Sequence, residues 1–428
     1  MSRHGPYFLL MARHFVKTLV LSSGERLPSL IERLTGLPVF YPNLYILTEL
    51  RQTNAATATI ERALREIMVL LDYLSFSGID LAERIRTGEL FSLGEIDGLA
   101  RHCRQSFRQQ HGRATTVVSL DRHRSRRRSK SGKEVSQETA ANRIRTIHAY
   151  LEWLVKLRRS HSNMNNAAKK SLAQAAADAL RTLWARIPPK KGRNALGQRQ
   201  GASKDTMERL VQIIDPASPE NPWRDEFVKR RTVLIVRWLH ELGLRRGELL
   251  NLKITDIDFR DNTVIVARRA DDPEDPRRYQ PRVKTRDRKL PLTADLADVT
   301  HRYIIKVRSQ IPGAKTHPFL LVADRTGAPM SLSALNKLFK TLRIKCPDLP
   351  NDLSGHVLRH TWNDDFSEHS DANGLDAAVV EKMRSYLMGW SPTSSTASTY
   401  TRRHVEKKAR QVSLEMQSKS SLPKNNAE

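Results

Sequence analysis

Apolar residues recur at helix spacing in two long stretches of the N-terminal half. Ile60, Leu64, Ile67, Leu71 and Leu74 form one stripe, with Arg62, Arg65 and Glu66 on other faces. Ile144, Ile147, Leu151 and Leu154 form a second, with Tyr150 and Trp153 beside it. Repetition every three to four positions marks an amphipathic helix, so an all-helical domain is expected over 43–187. Ahead of it, 1–42 mixes a β-rich run at 15–21 with a short Leu/Ile pattern at 27–34 and reads as an N-terminal accessory segment to which the residues assign no role.

The pattern lapses at 188–203, where Pro, Gly and basic residues leave almost nothing to pack, as in a linker. It then resumes. Asp205 is placed to cap a helix carrying Met207, Leu210, Val211 and Ile214, and a second helix runs through Val233, Leu234, Val236, Trp238 and Leu239. Strand signals follow at 263–267 and 283–292 before helical spacing returns. A second domain over 204–417, mainly α with a small antiparallel sheet, is predicted. The last segment, 418–428, is rich in Ser, Lys and Asn and is expected to be a disordered tail. No internal repeat is found.

Charge changes the picture. Lys and Arg number 73 against 46 Asp and Glu, a net +27 over 428 residues, which points to a polyanionic partner and first of all to nucleic acid. A basic ribosome-associated or membrane-surface protein would share that charge. The segment from Arg122 to Lys133 holds seven Lys or Arg and no apolar residue to bury. Arg122, Arg124, Arg126, Arg127, Arg128 and Lys130, with Lys190 and Lys191 of the linker, are therefore candidates for phosphate contact, a solvated loop being the alternative. Cys103 and Cys346 lie far apart with no CxxC spacing, which excludes a disulfide framework or zinc ribbon and suits a reducing cytosol. The apolar run at 7–12 is interrupted by Arg13, His14 and Lys17 too soon for an export signal or membrane span, so a cytoplasmic protein with no membrane partner is expected.

Candidate chemistry lies in the C-terminal half. Arg245 follows a Gly-Leu break at the expected start of a helix whose Leu249 and Leu252 face inward, and helix starts favour anions. By itself, Arg245 with Glu248 also reads as an exposed i,i+3 ion pair of little consequence. His356 and Arg359 lie one helical turn apart and can converge on one phosphate oxygen. His356 and His360 have i,i+4 spacing, but neither the general-base Glu of an HExxH pattern nor a nearby cysteine accompanies them, so no metal is expected. Tyr400 follows Trp390 by ten positions, set among small hydroxyl residues rather than in an apolar stripe. A phenol is a plausible covalent nucleophile for phosphate.

Taken in order, Gly243-Leu-Arg-Arg-Gly-Glu-Leu, a hairpin lysine, His356-x-x-Arg359-His360, Met388-Gly-Trp390 and Tyr400 resemble the signature of the tyrosine recombinase, or phage integrase, family over roughly 200–412. The resemblance implies that Arg245 and Arg359 clamp a scissile phosphate and that His356 assists proton transfer and phosphate contact. Lys284 would protonate the leaving 5′ oxygen; Arg286 and Lys289 stand close by, and an Asp/Pro/Arg-rich insertion at 268–281 lengthens the hairpin. Glu248 matches an acidic position that orients the catalytic groups, a purely structural role being the alternative. Position 390 is usually histidine in the family; an indole donates one N–H and cannot shuttle a proton, so Trp390 would position rather than titrate. The interval from Trp390 to Tyr400 is about one residue longer than the family's.

The family's fold would join a helical core-binding domain to an α+β catalytic domain, a C-shaped clamp on double-stranded DNA. It also implies a dimer on one DNA site and a homotetramer on two, with a C-terminal segment at 405–416 exchanged between neighbours. Accessory recombination proteins are compatible with it. The reaction would be site-specific, integrase-type recombination through a 3′-phosphotyrosyl intermediate, with no cofactor, metal or ATP. A transposase with the same catalytic domain, a topoisomerase of the same chemistry and a catalytically dead DNA-binding protein are the alternatives.

Overall fold

The structure, a computed structural model, describes residues 13–106, 134–161, 164–189, 201–281, 283, 285–391, 409 and 412–417. The basic run at 122–133, Lys190, Lys191, Lys284, Tyr400 and the tail at 418–428 lie outside these residues. The chain divides into two compact units, Met1–Leu21 with Arg26–Ala195, and Ser22–Glu25 with Leu196–Glu428.

The first unit opens with an antiparallel pair, β1 (His14–Val20) and β2 (Arg26–Glu32), in which Val16 stands opposite Leu30. Helices follow: α1 (Phe40–Tyr45), α2 (Thr57–Ser77), α3 (Leu81–Thr87), α4 (Leu93–Arg104), α5 (Gln137–His161) and α6 (Asn166–Ala185). Side-chain caps set several starts: Asp80 accepts from Ala82 and Glu83, Ser92 and Glu95 form a reciprocal capping box, and Asn165 accepts from Ala168. Ile60, Leu64 and Ile67 are sealed from solvent, as their spacing predicts. In the next turn, however, Leu70 rather than Leu71 is fully buried. The reason is that α2 is covered by β2 as well as by α5, so its buried face is wider than one stripe. Glu66, expected on another face, is also buried and accepts from Thr146 Oγ1 at 2.6 Å. Burial lifts its carboxyl, and the Thr146 bond with Arg62 and Arg143 offsets only part of that. Tyr45 meets the rings of Tyr150 and Trp153 edge-on.

In the second unit α7 (Lys204–Ile214), α8 (Glu226–Glu241) and the short α9 (Arg246–Leu250) precede a sheet of β3 (Ile257–Asp258), β4 (Thr263–Val266) and β5 (Arg288–Pro291). Then come α10 (Ala294–Arg302), α11 (Leu332–Lys345), α12 (Gly355–Ala372) and α13 (Ala377–Met388). The architecture is mainly α with small antiparallel sheets. Ser203, not Asp205, caps α7, accepting from Thr206 at 3.2 Å; Asp205 sits in the first turn, where its charge suits the helix dipole. Trp238 of α8 is wholly buried and donates to Thr300 Oγ1 of α10 at 3.0 Å.

β5 is shorter than the strand signal at 283–292 because the residues before it bond outside the sheet. Arg286 N donates to the Gly389 carbonyl at 2.9 Å, and Asp287 accepts from Arg268 N at 2.5 Å. The insertion between β4 and β5 is tied to the body of the unit. Buried Lys253 pairs with Asp272 at 2.7 Å and Glu274 at 2.5 Å, and Arg269 pairs with Asp256. Arg277 pairs with buried Asp275 and donates to the carbonyls of Leu250 and Met330. Lys253 and Arg277 also both face the ring of Phe319. Burial acts to lower the Lys253 pKa, but its two carboxylates outweigh that and hold it above its ordinary value.

Candidate active site

The segment between α8 and α9 makes a tight turn. Gly243 adopts φ +58°, and a Cβ there would come within 2.8 Å of Met388 Cε and 2.9 Å of Trp362 Cγ, so only glycine lets the chain pass. Leu244 anchors the turn in the core, and Arg245 follows in extended conformation as the residue capping α9. Its backbone N–H donates to Glu248 Oε2 at 3.0 Å and its Nη1 to Glu248 Oε1 at 3.3 Å.

Glu248 is therefore not half of an exposed pair. Its side chain has no accessible surface, while that of Arg245 keeps 31%. Arg288 Nη2 donates to Glu248 Oε2 at 2.8 Å, Thr285 Oγ1 donates to Oε1 at 2.8 Å, and Arg359 Nη1 lies 3.8 Å from Oε2. Burial by itself would lift the Glu248 carboxyl, but Arg288 and Arg359, with the bonds from Arg288 and Arg245, hold it below the ordinary carboxylate range. One buried carboxylate thus gathers guanidinium groups from the residue capping α9, from β5 and from α12.

Ser354 caps α12, and a Cβ at Gly355 would press on Arg246 Cγ at 2.9 Å and Leu239 Cδ1 at 3.2 Å, so this helix starts against the turn of α8 and α9. His356 and Arg359 are one turn apart as their spacing predicts, but they point differently. Arg359 is buried, donating Nη1 to the Gly243 carbonyl at 2.6 Å and Nη2 to the Met388 carbonyl at 3.3 Å, with its guanidinium 5.8 Å from the Trp390 ring. His356 is exposed, its Nε2 3.1 Å from Nε2 of His360. One Nε2 donates and the other accepts in that contact, which two neutral rings of opposite tautomers satisfy. Among the described residues no cluster of three or more His, Cys, Asp or Glu is placed to hold a metal ion.

Trp390 is buried and packs with Met388 and Trp362, whose Nε1 donates to the Glu241 carbonyl at 3.1 Å. Of the expected site residues, Arg245, Glu248, Arg359 and Trp390 are thus drawn together, with His356 at the exposed start of α12. Lys284 and Tyr400 lie outside the described residues; Arg286 and Lys289 are both exposed. Two residues that sequence reasoning passed over, Thr285 and Arg288, bind Glu248 directly. Alternation could have found the second: Arg288, Leu290 and Leu292 fall on one face of the strand, and all three are buried. Among the described residues no helix is long and apolar enough to cross a membrane.

Residues 203–407 match the phage integrase family. The tyrosine recombinase XerA of Thermococcus kodakarensis is 27% identical over 262 residues, 60% of this chain and 78% of that protein. Its namesake from Thermococcus onnurineus is 27% identical over 48% of this chain and 58% of its own length. Among solved structures, the Tn1549 transposon integrase in complex with a circular intermediate DNA is 16% identical, covering 86% of this chain and 98% of its own, with a TM-score of 0.46. The matched span contains Arg245, Glu248, His356, Arg359, Trp390 and Tyr400, and over it the chain is similar to the phage integrase, or tyrosine recombinase, family.

Proposed function

We propose that this protein cuts and rejoins double-stranded DNA as a site-specific recombinase of the integrase type. The observation that carries the reading is the convergence of Arg245 and Arg359, from segments far apart in the chain, on the single buried carboxylate of Glu248. Guanidinium groups held by a fixed anion are preorganised for the non-bridging oxygens of a phosphodiester and need no rearrangement as charge develops.

In the proposed reaction the Tyr400 Oη attacks the scissile phosphorus as its proton passes to the His356 imidazole. The bond from phosphorus to the 5′ oxygen breaks, and that oxygen takes a proton from Lys284 and leaves as a 5′-hydroxyl. The 3′-phosphotyrosyl ester retains the bond energy, so a 5′-hydroxyl of a partner strand reverses the step without metal or ATP. Arg245 and Arg359 carry the phosphate, His356 assists from the exposed start of α12, Trp390 positions, and Glu248 orients the two arginines.

The helical residues 43–187 act as the core-binding domain, with 1–42 accessory to it, 188–203 as linker, 204–417 as catalytic domain and 418–428 as tail. Both domains would clamp DNA, as a dimer on one site and a tetramer on two. The net charge supports an electrostatic hold on the backbone, and the basic run at 122–133 supplies part of it.

The test is a suicide DNA substrate carrying the cognate site, incubated in EDTA and resolved on a denaturing gel. Wild type should form a covalent adduct and Tyr400→Phe none; no wild-type adduct, or an undiminished one from the variant, would sink the mechanism. Joining of two sites, rather than relaxation of supercoils alone, separates a recombinase from a topoisomerase.

A further inference from the structure

Arg288 is a buried arginine with a full set of partners that the proposed chemistry does not use. Burying a guanidinium is costly unless its donors are satisfied, and here each of the three nitrogens is engaged. Nε donates to the Leu387 carbonyl at 2.7 Å, Nη1 to Thr285 Oγ1 at 3.2 Å and Nη2 to Glu248 Oε2 at 2.8 Å. Thr285 passes its own proton to Glu248 Oε1 at 2.8 Å, so Arg288, Thr285 and Glu248 close a ring of hydrogen bonds.

The Leu387 contact gives the ring a second purpose. The last carbonyls of a helix have no partner within it, and at the end of α13 three in succession are taken by donors from elsewhere: Leu387 by Arg288 Nε, Met388 by Arg359 Nη2 and Gly389 by Arg286 N. Gly389 has φ +64°, and a Cβ there would lie 2.8 Å from both Arg288 Nη1 and Thr285 Cβ. The residues leading into β5 and the turn into Trp390 therefore lie as close as backbone allows.

We propose that Arg288 is a positioning residue that locks the hairpin segment at 285–288 to Glu248 and to the end of α13, and thereby sets where the hairpin presents its proton donor to the leaving 5′ oxygen. The inference rests on the recombinase reading. Lys284 precedes Thr285 directly in sequence, so a hairpin released from this ring would misplace the donor while leaving the phosphate clamp of Arg245 and Arg359 with its carboxylate.

The experiment compares Arg288→Met, Arg288→Lys and Thr285→Val with wild type on two suicide substrates, one with the ordinary 5′ bridging oxygen and one with sulfur there, which leaves as a thiolate and needs no proton. Displacing a reacting group by about 1 Å costs about 100-fold, so Arg288→Met should cut the ordinary substrate about 100-fold more slowly while binding it as wild type does. On the sulfur substrate it should recover to within a few-fold of wild type. Arg288→Lys keeps the charge but not the fork and should show the same pattern, less severely. Equal losses on both substrates, or ordinary cleavage at the wild-type rate, would overturn the proposal. Should Arg288→Met fail to fold, Thr285→Val decides by the same comparison, since it removes one hydroxyl and little volume. Absence of a wild-type adduct on either substrate would overturn the recombinase reading itself, and this inference with it.

Discussion

Arg359 donates its Nη1 to the carbonyl oxygen of Gly243 at 2.6 Å, across 116 positions of sequence. That one bond joins the start of α12 to the turn that presents Arg245, so the two arginines of the site are set by the same piece of backbone. The turn in its place requires φ +58° and a neighbourhood closed by Met388 and Trp362. Gly243→Ala should therefore cost at least about 1–3 kcal/mol of stability, from the left-handed conformation and the crowded Cβ together. Chemical denaturation checks this; an unchanged midpoint would show that the turn yields without penalty.

Glu248 neutralises buried cations, so removing it leaves them uncompensated. Glu248→Ala should destabilise the catalytic unit by about 3–5 kcal/mol, the range for breaking a buried pair from one side. The carboxyl lies below its ordinary value near 4.5 in the folded state. Its contribution to stability is then fully present above pH 4.5 and is lost as pH falls through the lower folded value. The stability gap between wild type and Glu248→Gln, followed by denaturant titration across acidic pH, should narrow only below that point. A gap that closes at higher pH would mean that the carboxylate is not held by its arginines.

Arg245 and Arg359 should part company in their stability effects although both are assigned to the phosphate. The Arg245 side chain is 31% exposed, and that of Arg359 is 2% exposed with donors spent on two backbone carbonyls. Arg245→Ala should abolish adduct formation with a small loss of stability, since Glu248 keeps Arg288, Thr285 and the backbone N–H of position 245. Arg359→Ala should abolish it and also unfold the unit at distinctly lower denaturant. Equal midpoints for the two variants would contradict the burial of Arg359.

Both cysteines are buried, and burial pushes the Cys103 thiol up to about 12. Reaction with a thiol reagent needs the thiolate, so native protein at pH 8 should be labelled at neither position within minutes, and at both once unfolded. Rapid native labelling at Cys103 would show that the core between α4 and α5 opens readily.

The helices of both units were legible in the chain because an apolar stripe is a local pattern. Ile60, Leu64, Ile67, Ile144, Ile147 and Leu151 declare a buried face before any partner is known, and all six are buried. Where the pattern misled, a second neighbour was the cause. Leu70 and Glu66 are buried because α2 has two contact surfaces, and no single helical repeat records that.

The candidate site divides in the same way. Chemistry-bearing residues set at recognisable spacing, from Arg245 through Tyr400, carried the resemblance to the phage integrase family without any coordinates. Whether Glu248 was a surface partner or the centre of the site could not be read there, because burial of a carboxylate is decided by residues that reach it from other segments. Arg288 arrives from β5 and Thr285 from the stretch before it, while Arg359 comes from α12. Sequence by itself thus determined which side chains the protein carries and in what order. Only the tertiary structure decided which of them are sealed together, because a low-dielectric pocket with its donors satisfied exists only after distant segments have packed.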